Sequence, residues 1–334
     1  MPLRTIAGTT DRRIAALLAL LADKPMIVIS GAKIAEEIGV SRSTVWRWVQ
    51  TLRSLGVEVK GHARTGYVIE KTPDVLAPNL FRRSLRHTTF GKHIYHFFKI
   101  DSTNRVALQL GHEGEPHGTV VLAEEQTAGR GRAGRVWHSE RASGIYMTVL
   151  MRPGISPADA PLLTLLAGLS VRDAIQEQAG ITPDLRWPND LLLNGKKLGG
   201  ILTEMHAEPE RVQFVIIGIG LNVNHARMPE NLSEIATSLR MESGRSHSRL
   251  ELAVKLLGKL ESYYNQFLEN GPQAILDRFA EVSTFALGKR VRIANSRETF
   301  TGTTAGLASN GLLRVKREDG RTETVISGDV AEAL

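Results

Sequence analysis

The segment EEQTAGRGRAGRVWHS, residues 124 to 139, alternates arginine and glycine in a spacing suited to binding an anion. Arg130, Arg132 and Arg135 can each bind a carboxylate or a phosphate through two parallel hydrogen bonds, and arginine stays charged when it is partly buried. The glycines between them allow backbone amides to close on the same ligand. The loop therefore favours a site that holds a phosphate and a carboxylate together, as an acyl-adenylate site does.

Two other phosphate-binding motifs fit this segment poorly. Gly129, Gly131 and Gly134 satisfy the G-x-G-x-x-G pattern, and TVVLAEE before them predicts a buried strand. A dinucleotide fold also needs an apolar-striped helix directly after the glycines and an acidic residue about 20 positions later. Here VWHSERASG has no such stripe, and LMRPGIS has no acid. A Walker A loop is excluded because no Lys-Ser/Thr pair follows the last glycine.

Other short stretches place polar or small residues where elements begin or end. DSTN, residues 101 to 104, predicts a helix start whose amides can hold an anion or a polar ring. RWPND, residues 186 to 190, ends a short strand, and a hairpin with Asn194-Gly195 as its turn follows. FVIIGIGLNVN, residues 214 to 224, predicts a central strand. Each stretch alone is explained equally well by a cap, a turn or a close approach of strands.

In combination these stretches carry a resemblance. Taken in order, DSTN, EQTAGRGRAGR, WPND, KKLGGIL and GIGLNVN resemble the motifs of biotin protein ligases, and the resemblance covers nearly the whole chain. It implies ATP-dependent formation of biotinyl-5′-AMP and transfer of biotin to a lysine of the biotin carboxyl carrier protein of acetyl-CoA carboxylase. It also implies Mg²⁺ held mainly by the ATP phosphates, with no protein metal ligands assigned.

The resemblance implies roles for individual residues. Biotin contacts are implied for Ser102, Thr103, Asn104, Gln126, Arg130, Gly131, Arg132, Trp137, Lys197 and Gly200. Contacts with ATP or the adenylate are implied for Arg130, Arg132, Arg135, Asn189, Lys197 and Asn222. Arg132 and Lys197 are expected to hold the carboxylate and the α-phosphate, and Asp190 to orient or deprotonate the attacking amine. The segment after Asn224 lacks the tryptophan that covers adenine in some members, which leaves Ile235 or Ala236 for that contact.

The N-terminal segment has the pattern of a helix-turn-helix. Thr10 is placed to cap a first helix, DRRIAALLALLAD. Ser30 begins a second helix that ends at Gly39, and only two residues separate it from a third helix capped by Ser41. Two short helices joined by a tight turn that contains glycine are typical of this DNA-binding motif.

The third helix separates apolar residues from hydrogen-bond donors. Its predicted buried face is Val45, Trp48, Val49, Leu52 and Leu55, and its outward face is Ser43, Trp46, Arg47, Gln50 and Arg53. VEVKGHARTGYVIE predicts a β-hairpin wing with a basic tip, closed by Gly66. The residues expected to contact DNA are Ser41, Arg42, Ser43, Thr44, Trp46, Arg47 and Arg64. The alternative is a helical dimerisation or docking domain whose basic residues only face solvent.

Composition and charge restrict the class of protein, its partners and its chemistry. The 334 residues are 42% hydrophobic and 23% charged, which is typical of a soluble protein with two or three domains. The net charge is +7, and residues 1–72 hold eleven basic and six acidic residues, which favours a polyanion partner. The absence of cysteine excludes thiolate chemistry and Cys-ligated zinc. No stretch predicts a membrane span or a secretory signal, so we expect a cytoplasmic protein.

The expected fold class is α+β with several domains. Residues 1–72 form a winged helix-turn-helix, and 73–84 form a linker with Pro73 and Pro78. The resemblance implies a mixed α/β, class II-synthetase-like ligase domain at 85–285. It also implies an SH3-like small β-barrel at 286–334, where turns at Asn295-Ser296, Asn310-Gly311 and Asp319-Gly320 separate short alternating strands.

The winged helix in front makes the chain resemble the bifunctional biotin ligase and biotin operon repressor. This implies biotinyl-AMP as corepressor, biotin operator DNA as partner, and a homodimer when the adenylate is bound. Rival functions are a lipoate or octanoate ligase, a biotin sensor without ligation, and a ligase whose N-terminal domain does not read DNA. The polar STN stretch with Gln126 favours biotin, Arg132 with Lys197 and Asp190 favours ligation, and Arg47 with Arg64 favours DNA reading.

Overall fold

The computed structural model describes residues 9–62, 65–71, 73–85, 88–295 and 298–333. Its N-terminal part is a winged helix-turn-helix, which confirms the prediction. The elements are helices α1 (Thr9–Asp23), α2 (Gly31–Ile38) and α3 (Arg42–Ser54), and strands β1 (Val59–His62) and β2 (Gly66–Ile69). The prediction that Thr10 caps α1 is wrong, because the backbone is already helical at Thr9.

The predicted caps of the next two helices are formed. The Ser30 Oγ accepts the amide of Lys33 at 3.1 Å, and the Ser41 Oγ accepts the amide of Thr44 at 3.2 Å. Gly39 ends α2 in the left-handed region, with φ at 72°. A β-carbon on Gly66 would lie 2.0 Å from the carbonyl oxygen of Ile29, so only glycine lets the wing pass this close to the turn before α2.

The buried face of α3 is the one that the sequence predicts, since Val45, Trp48, Val49, Leu52 and Leu55 are all buried. Arg53, on the predicted outward face, has a structural role. The guanidinium of Arg53 donates two hydrogen bonds, of 2.9 and 2.8 Å, to the carbonyl of Val59. Arg53 therefore fixes the wing to α3.

The segment predicted as a linker is ordered and packed. It contains helix α4 (Pro78–Ser84), and Val75, Leu76 and Phe81 are fully buried in it. A Pro in the first helical turn suits this helix, because its missing amide hydrogen would have no intrahelical partner there. The domain boundaries at 72 and 84 remain predictions, and residue 72 lies outside the described residues.

A seven-stranded mixed sheet forms the central part of the molecule. Its strands are β3 (Ile94–Phe97), β4 (Thr119–Ala123), β5 (Gly144–Met151), β6 (Asp184–Arg186), β7 (Asp190–Leu193), β8 (Lys196–Ala207) and β9 (Val212–Asn222). Their order across the sheet is β3-β4-β5-β9-β8-β7-β6. Only the β3–β4 pair is parallel, and the predicted central strand β9 lies between β5 and β8.

Both faces of this sheet are covered by helices. Helix α5 (Thr103–His112) packs on one face. The other face is covered by α6 (Ala160–Ala179), α8 (Arg249–Asn270) and α9 (Gln273–Val282), and the short helix α7 (Leu239–Ser243) precedes α8 in the chain. In β4, Val121 belongs to the core beneath α5, while Val120 and Leu122 belong to the opposite core. Burial on both faces explains why this strand is a continuous apolar run.

The C-terminal part is a five-stranded antiparallel sheet, which agrees with the short alternating strands that the sequence predicts. Its strands are β10 (Leu287–Ala294), β11 (Thr299–Leu307), β12 (Leu313–Arg317), β13 (Thr322–Val325) and β14 (Asp329–Glu332), in the order β13-β12-β11-β10-β14. Gly311 and Gly320 take φ of 83° and 86° in the predicted turns, while Ser296 of the first predicted turn lies outside the described residues. Among the described helices, none is long and apolar enough to cross a membrane.

A buried ion-pair network joins the segment after the wing to the central sheet. Arg249 is 1% exposed, and its guanidinium donates to Glu124 at 2.8 Å and to Asp74 at 3.1 Å. Glu124 is fully buried and also accepts the amide of Leu76 at 2.8 Å and contacts His96 Nε2 at 3.1 Å. Burial alone would raise the pKa of Glu124, but Arg249, His96 and the Leu76 amide together lower it to about 2. The stability from this charge is therefore complete above pH 4.5 and is lost as the pH falls toward 2.

Arg249→Met should destabilise the protein by about 3–5 kcal/mol, because it leaves the Glu124 carboxylate buried without its cation. Urea denaturation followed by circular dichroism measures this change. The exposed pair of Arg290 and Glu318 supplies the control, since Arg290→Met should change stability by less than about 0.5 kcal/mol. A loss below about 1 kcal/mol in Arg249→Met would contradict the structural role assigned to this network.

Candidate functional site

One cavity of about 450 Å³ brings together the predicted ligand residues of the central domain. It opens beside the Gly-Arg loop (residues 129–137), at the ends of β8 and β9. The predicted ligand and catalytic residues that line it are Ser102, Thr103, Asn104, Gln126, Arg130, Gly131, Arg132, Arg135, Trp137, Asn189, Asp190, Lys197, Gly200 and Asn222. Motifs separated by up to 120 positions in the sequence thus meet at one place, while the ligand each side chain binds remains a proposal.

The floor of the cavity is backbone rather than side chain. A β-carbon on Gly218 would lie 2.1 Å from the Oδ1 of Asn104, and one on Gly220 would lie 2.4 Å from the ring of Trp137. Both distances are far below any real contact, so these positions of β9 admit only glycine while Asn104 and Trp137 keep their places. The GIG stretch of the sequence is thereby explained as the surface on which two predicted ligand side chains rest.

A chain of hydrogen bonds organises the polar end of the cavity. The Oε1 of Gln126 accepts the backbone amide of Thr103 at 2.8 Å, and its Nε2 donates to the Oγ of Ser139 at 2.9 Å. The Oγ1 of buried Thr148 lies 2.8 Å from Thr103 Oγ1 and 2.7 Å from Asn104 Oδ1. These contacts fix the orientation of the Gln126 and Asn104 amides, which are predicted to face the ligand.

Three residues at the polar end of the cavity were not predicted from the sequence. Ser139 and Thr148 belong to the hydrogen-bonded chain, and Glu204 accepts from Asn104 Nδ2 at 2.7 Å and pairs with Arg130 at 3.0 Å. The sequence does give a signal for Thr148, because it is the one aliphatic hydroxyl side chain in the largely apolar strand segment IYMTVLM. No sequence pattern indicates Ser139 or Glu204, because their hydrogen-bond partners are distant in the chain and come close only in the folded protein.

The Gly-Arg loop is a short hairpin with a tight tip. Gly131 donates its amide to the carbonyl of Arg135 at 2.7 Å, and Trp137 donates its amide to the carbonyl of Gly129 at 2.9 Å. At the tip, Ala133 and Gly134 take φ of 56° and 74°. Closing this narrow turn places three arginines on a small surface beside the cavity.

Two arginines of this loop contact the C-terminal sheet, which the sequence did not predict. Arg132 donates to the carbonyl of Gly328 at 2.7 Å, and Arg135 holds both carboxylate oxygens of Asp329 at 2.7 and 3.2 Å. Burial lowers the pKa of Arg132, and the charge of Asp329 opposes this effect. The start of β14 therefore holds the tip of the loop.

A compact charge cluster lies at the other end of the cavity. The carboxylate of Asp190 is 2.5 Å from the Nζ of Lys197 and 2.6 Å from the guanidinium of Arg186. Burial would raise the pKa of Asp190, but the two cations lower it below its ordinary value, so this carboxylate stays charged at neutral pH. The Nζ of Lys197 also lies 5.7 Å from the ring centroid of Trp137, which places the cation beside the aromatic wall.

The segment 225–236 completes the rim. Lys197 donates its amide to the carbonyl of Ile235 at 2.8 Å, and Thr237 returns a bond of 3.0 Å to the carbonyl of Lys197. Asn222 donates to the carbonyl of Thr237 at 3.0 Å, so its amide holds this segment in place. Ile235 and Val136 both line the cavity and are 62% and 82% exposed, so two apolar side chains are accessible to a ligand.

The predicted DNA-contacting residues lie together on α3 and its first turn. Arg42, Ser43, Trp46 and Arg47 are exposed, and the indole of Trp46 is 56% exposed. The hydroxyl of Ser41 caps the helix and lies 2.8 Å from those of Ser43 and Thr44, so these hydroxyls organise the helix start. Arg64 of the wing tip lies outside the described residues.

Three family descriptions match parts of the chain. Residues 97–222 match the Biotin/lipoate A/B protein ligase family, residues 12–68 match an HTH domain, and residues 286–331 match the Biotin protein ligase C terminal domain. These regions coincide with the central sheet and its cavity, the winged helix and the C-terminal sheet.

The chain also aligns with characterised proteins over most of its length. It is 39% identical to the bifunctional ligase/repressor BirA of Bacillus spizizenii, with 94% of this chain and 97% of that protein covered. It is 39% identical to the Bacillus subtilis BirA, with 90% and 93% covered. Among solved structures, the biotin protein ligase of Aquifex aeolicus in complex with biotin and ATP is similar, at 29% identity and a TM-score of 0.63, with 72% of this chain and all of that chain covered.

Gly218→Ala should weaken biotin binding by at least about tenfold, because the new methyl group must displace Asn104 from Thr148 and Glu204. Isothermal titration calorimetry with biotin measures the loss. Gly154→Ala is the matched control, since no atom lies within 4 Å of its β-carbon position. Unchanged biotin affinity in Gly218→Ala, in a protein with an intact circular dichroism spectrum, would count against the position of Asn104 in the ligand site.

Proposed function

The chain belongs to the biotin protein ligase family, with the domain order of the bifunctional ligase/repressors, and we propose that it joins biotin to a carrier protein and represses transcription. The ligase reaction makes biotinyl-5′-AMP from biotin and ATP and passes the biotinyl group to a lysine of the biotin carboxyl carrier protein. The observation that carries the proposal is the single cavity that joins a fixed polar end, an aromatic wall and a cationic end.

The polar end favours biotin over a fatty-acyl group such as lipoate or octanoate. A ureido ring presents two N–H donors and one carbonyl acceptor, which need partners when they are buried. Thr103, Asn104 and Gln126 offer such partners, and their hydrogen bonds to Thr148 and Ser139 fix how they point. A wholly apolar ligand would use none of the donor and acceptor capacity that these amides and hydroxyls still have, so it would bind more weakly here.

The first half-reaction requires two anions to meet. The biotin carboxylate attacks the α-phosphorus of ATP, a bond forms between the carboxylate oxygen and phosphorus, and the bond to pyrophosphate breaks. Lys197 and Arg132 neutralise the negative charge that gathers on the carboxylate and the α-phosphate, and the cavity holds both reactants in line. Arg130 and Arg135 shape the loop from which Arg132 approaches.

Asp190 supports this step by holding Lys197. Its carboxylate lies between Lys197 and Arg186, and this position keeps the lysine ammonium directed at the cavity. In the second half-reaction the carrier lysine amine attacks the biotinyl carbonyl and AMP leaves. Asp190 orients that amine, while its lowered pKa makes it a weak base for removing the proton.

ATP enters as its Mg²⁺ complex. Two carboxylates line the cavity: Asp190 is paired with Lys197 and Arg186, and Glu234 is an exposed side chain of the rim segment. The lining therefore offers no cluster of carboxylates to ligate a metal. The other polar side chains of the lining are mainly cations and amides, which suit phosphate oxygens rather than Mg²⁺. The ion is therefore held by the ATP phosphates and acts as part of the substrate.

The repressor function requires contact between the ligand loop and the winged helix. Arg141, just beyond the Gly-Arg loop, donates to Ser54 at the end of α3 at 3.3 Å and pairs with Glu125 at 2.9 Å. The neighbouring Glu124 binds the amide of Leu76 in the segment after the wing. A ligand that fixes the Gly-Arg loop therefore affects the position of residues that contact α3. If this changes the affinity for DNA, DNA binding must change the affinity for the ligand by the same factor.

We propose that biotinyl-5′-AMP is the corepressor and that the adenylate-bound chain is a homodimer on operator DNA. Two copies related by a twofold axis present two recognition helices to two half-sites. The exposed donors of α3 and Trp46 are the contacts of one such helix with its half-site. A cytoplasmic location follows from the same proposal, because the carrier protein and the operator are both found there.

Lys197→Gln should lower biotin-dependent exchange between ATP and pyrophosphate at least about 100-fold, because it removes a cation from the developing charge. Lys196→Gln is the matched control, since Lys196 contacts the carbonyl of Ser233 and does not line the cavity. The wild-type protein should show exchange with biotin and far less with lipoate. Absence of exchange with biotin would refute the ligase, and equal exchange with both acids would favour a lipoate ligase.

Arg47→Ala should weaken operator binding about tenfold, because an exposed arginine of a recognition helix binds phosphates or base edges. The DNA is selected by the protein from a random-sequence pool in the presence of biotin and ATP, and affinity is measured by gel shift. Arg13→Ala removes an equal charge from α1 and should have a smaller effect. If no sequence is enriched over the starting pool, the chain is a ligase whose N-terminal domain does not read DNA.

A further inference from the structure

Three potential metal ligands lie together beside the ligand cavity. His138, Glu140 and His225 each offer one nitrogen or carboxylate oxygen, and these three atoms lie within 4.8 Å of one another. The two imidazole ring centroids are 6.0 Å apart. Ligand atoms bound to one zinc ion are about 3.3 Å apart, so the three atoms need to approach by at most about 1.5 Å. Glu140 is exposed and His138 is half-buried, so both have room to turn.

His225 supplies an independent reason to expect a ligand. It is fully buried, and its Nδ1 makes no hydrogen bond with any residue that the structure describes. Its Nε2 lies 3.4 Å from the hydroxyl of Tyr146, whose hydrogen goes to the carbonyl of Glu140 at 2.8 Å. Buried polar atoms are normally paired, so an imidazole with so few partners calls for an explanation.

The chemistry of the three groups selects the ion. Two imidazole nitrogens and one carboxylate oxygen form a set that zinc accepts, whereas Mg²⁺ and Ca²⁺ prefer oxygen ligands alone. The accessible Glu140 side leaves a fourth position for water. We propose that His138, Glu140 and His225 bind one Zn²⁺ ion, distinct from the Mg²⁺ that accompanies ATP.

The position of this site gives the ion a structural effect on the cavity. His138 follows Trp137, the aromatic wall, and His225 begins the segment 225–236, which supplies Met228 and Ile235 to the lining. A zinc ion would tie these two chain segments together where they flank the ligand. An ion that binds only the folded, closed arrangement also stabilises that arrangement by mass action.

The test measures zinc binding directly, on the full-length protein without a histidine tag and without biotin or ATP. Equilibrium dialysis and metal analysis should give one Zn²⁺ per chain. Co²⁺ should bind the same site with visible absorption typical of low coordination, and Zn²⁺ should abolish that absorption. His138→Gln and Glu140→Gln should each weaken zinc binding at least about 100-fold, since loss of even an outer-shell partner weakens metal sites 10–100-fold.

A second histidine pair supplies the matched control. His112 and His206 have ring centroids 4.7 Å apart on the far part of β8 and α5, away from the proposed site. His206→Gln should keep the full zinc affinity. The proposal is overturned if no stoichiometric zinc binds, if His138→Gln binds as tightly as the wild-type protein, or if His206→Gln loses the ion. Because no substrate is present, these outcomes do not depend on whether the chain is a biotin ligase.

Discussion

The buried charge of Arg249 is the constraint on which the arrangement of the domains depends. A guanidinium that is 1% exposed must have its hydrogen bonds satisfied by protein, and here Glu124, Asp74 and the carbonyl of Gly144 satisfy them. These partners come from the segment after the wing, from the strand before the Gly-Arg loop and from the start of β5. One side chain of α8 thus fixes the relative positions of the winged helix, the strand before the Gly-Arg loop and the central sheet. If any of them shifts, a charge is left unpaired in the interior.

The sequence predicts the elements well where a local rule applies. The caps Ser30 and Ser41, the turn at Asn194-Gly195 and the alternation of the C-terminal strands follow from the chemistry of single residues and their neighbours. The candidate ligand residues could be named because motifs fix both residue type and spacing, and the cavity collects all of them, while their contacts with the ligand stay predictions. Thr10 failed as a cap because several neighbouring positions satisfy the same weak preference, so a helix start is easily misplaced by one residue.

What the sequence does not predict depends on contacts between distant segments. Arg53 has the type and exposure of a DNA contact, yet its guanidinium is bound to the carbonyl of Val59. Arg132 and Arg135 are assigned to the ligand by their motif, while in this structure Gly328 and Asp329 of the C-terminal sheet hold them. No pattern within the loop reveals those partners, since a backbone carbonyl has no sequence signature. We therefore expect a bound ligand to compete with the Gly328 carbonyl for Arg132 and with the Asp329 carboxylate for Arg135.

The glycine floor of β9 also restricts how the pocket can be redesigned. Since Gly218 and Gly220 already present bare backbone, no substitution there can create more depth for a bulkier ligand. Extra volume has to come from the side chains of the lining, and the indole of Trp137, which lies over Gly220, is the largest of them. Variants that accept enlarged biotin analogues, such as those carrying a chemical handle, should therefore be sought by shortening Trp137 or the loop that carries it, with the strand left intact.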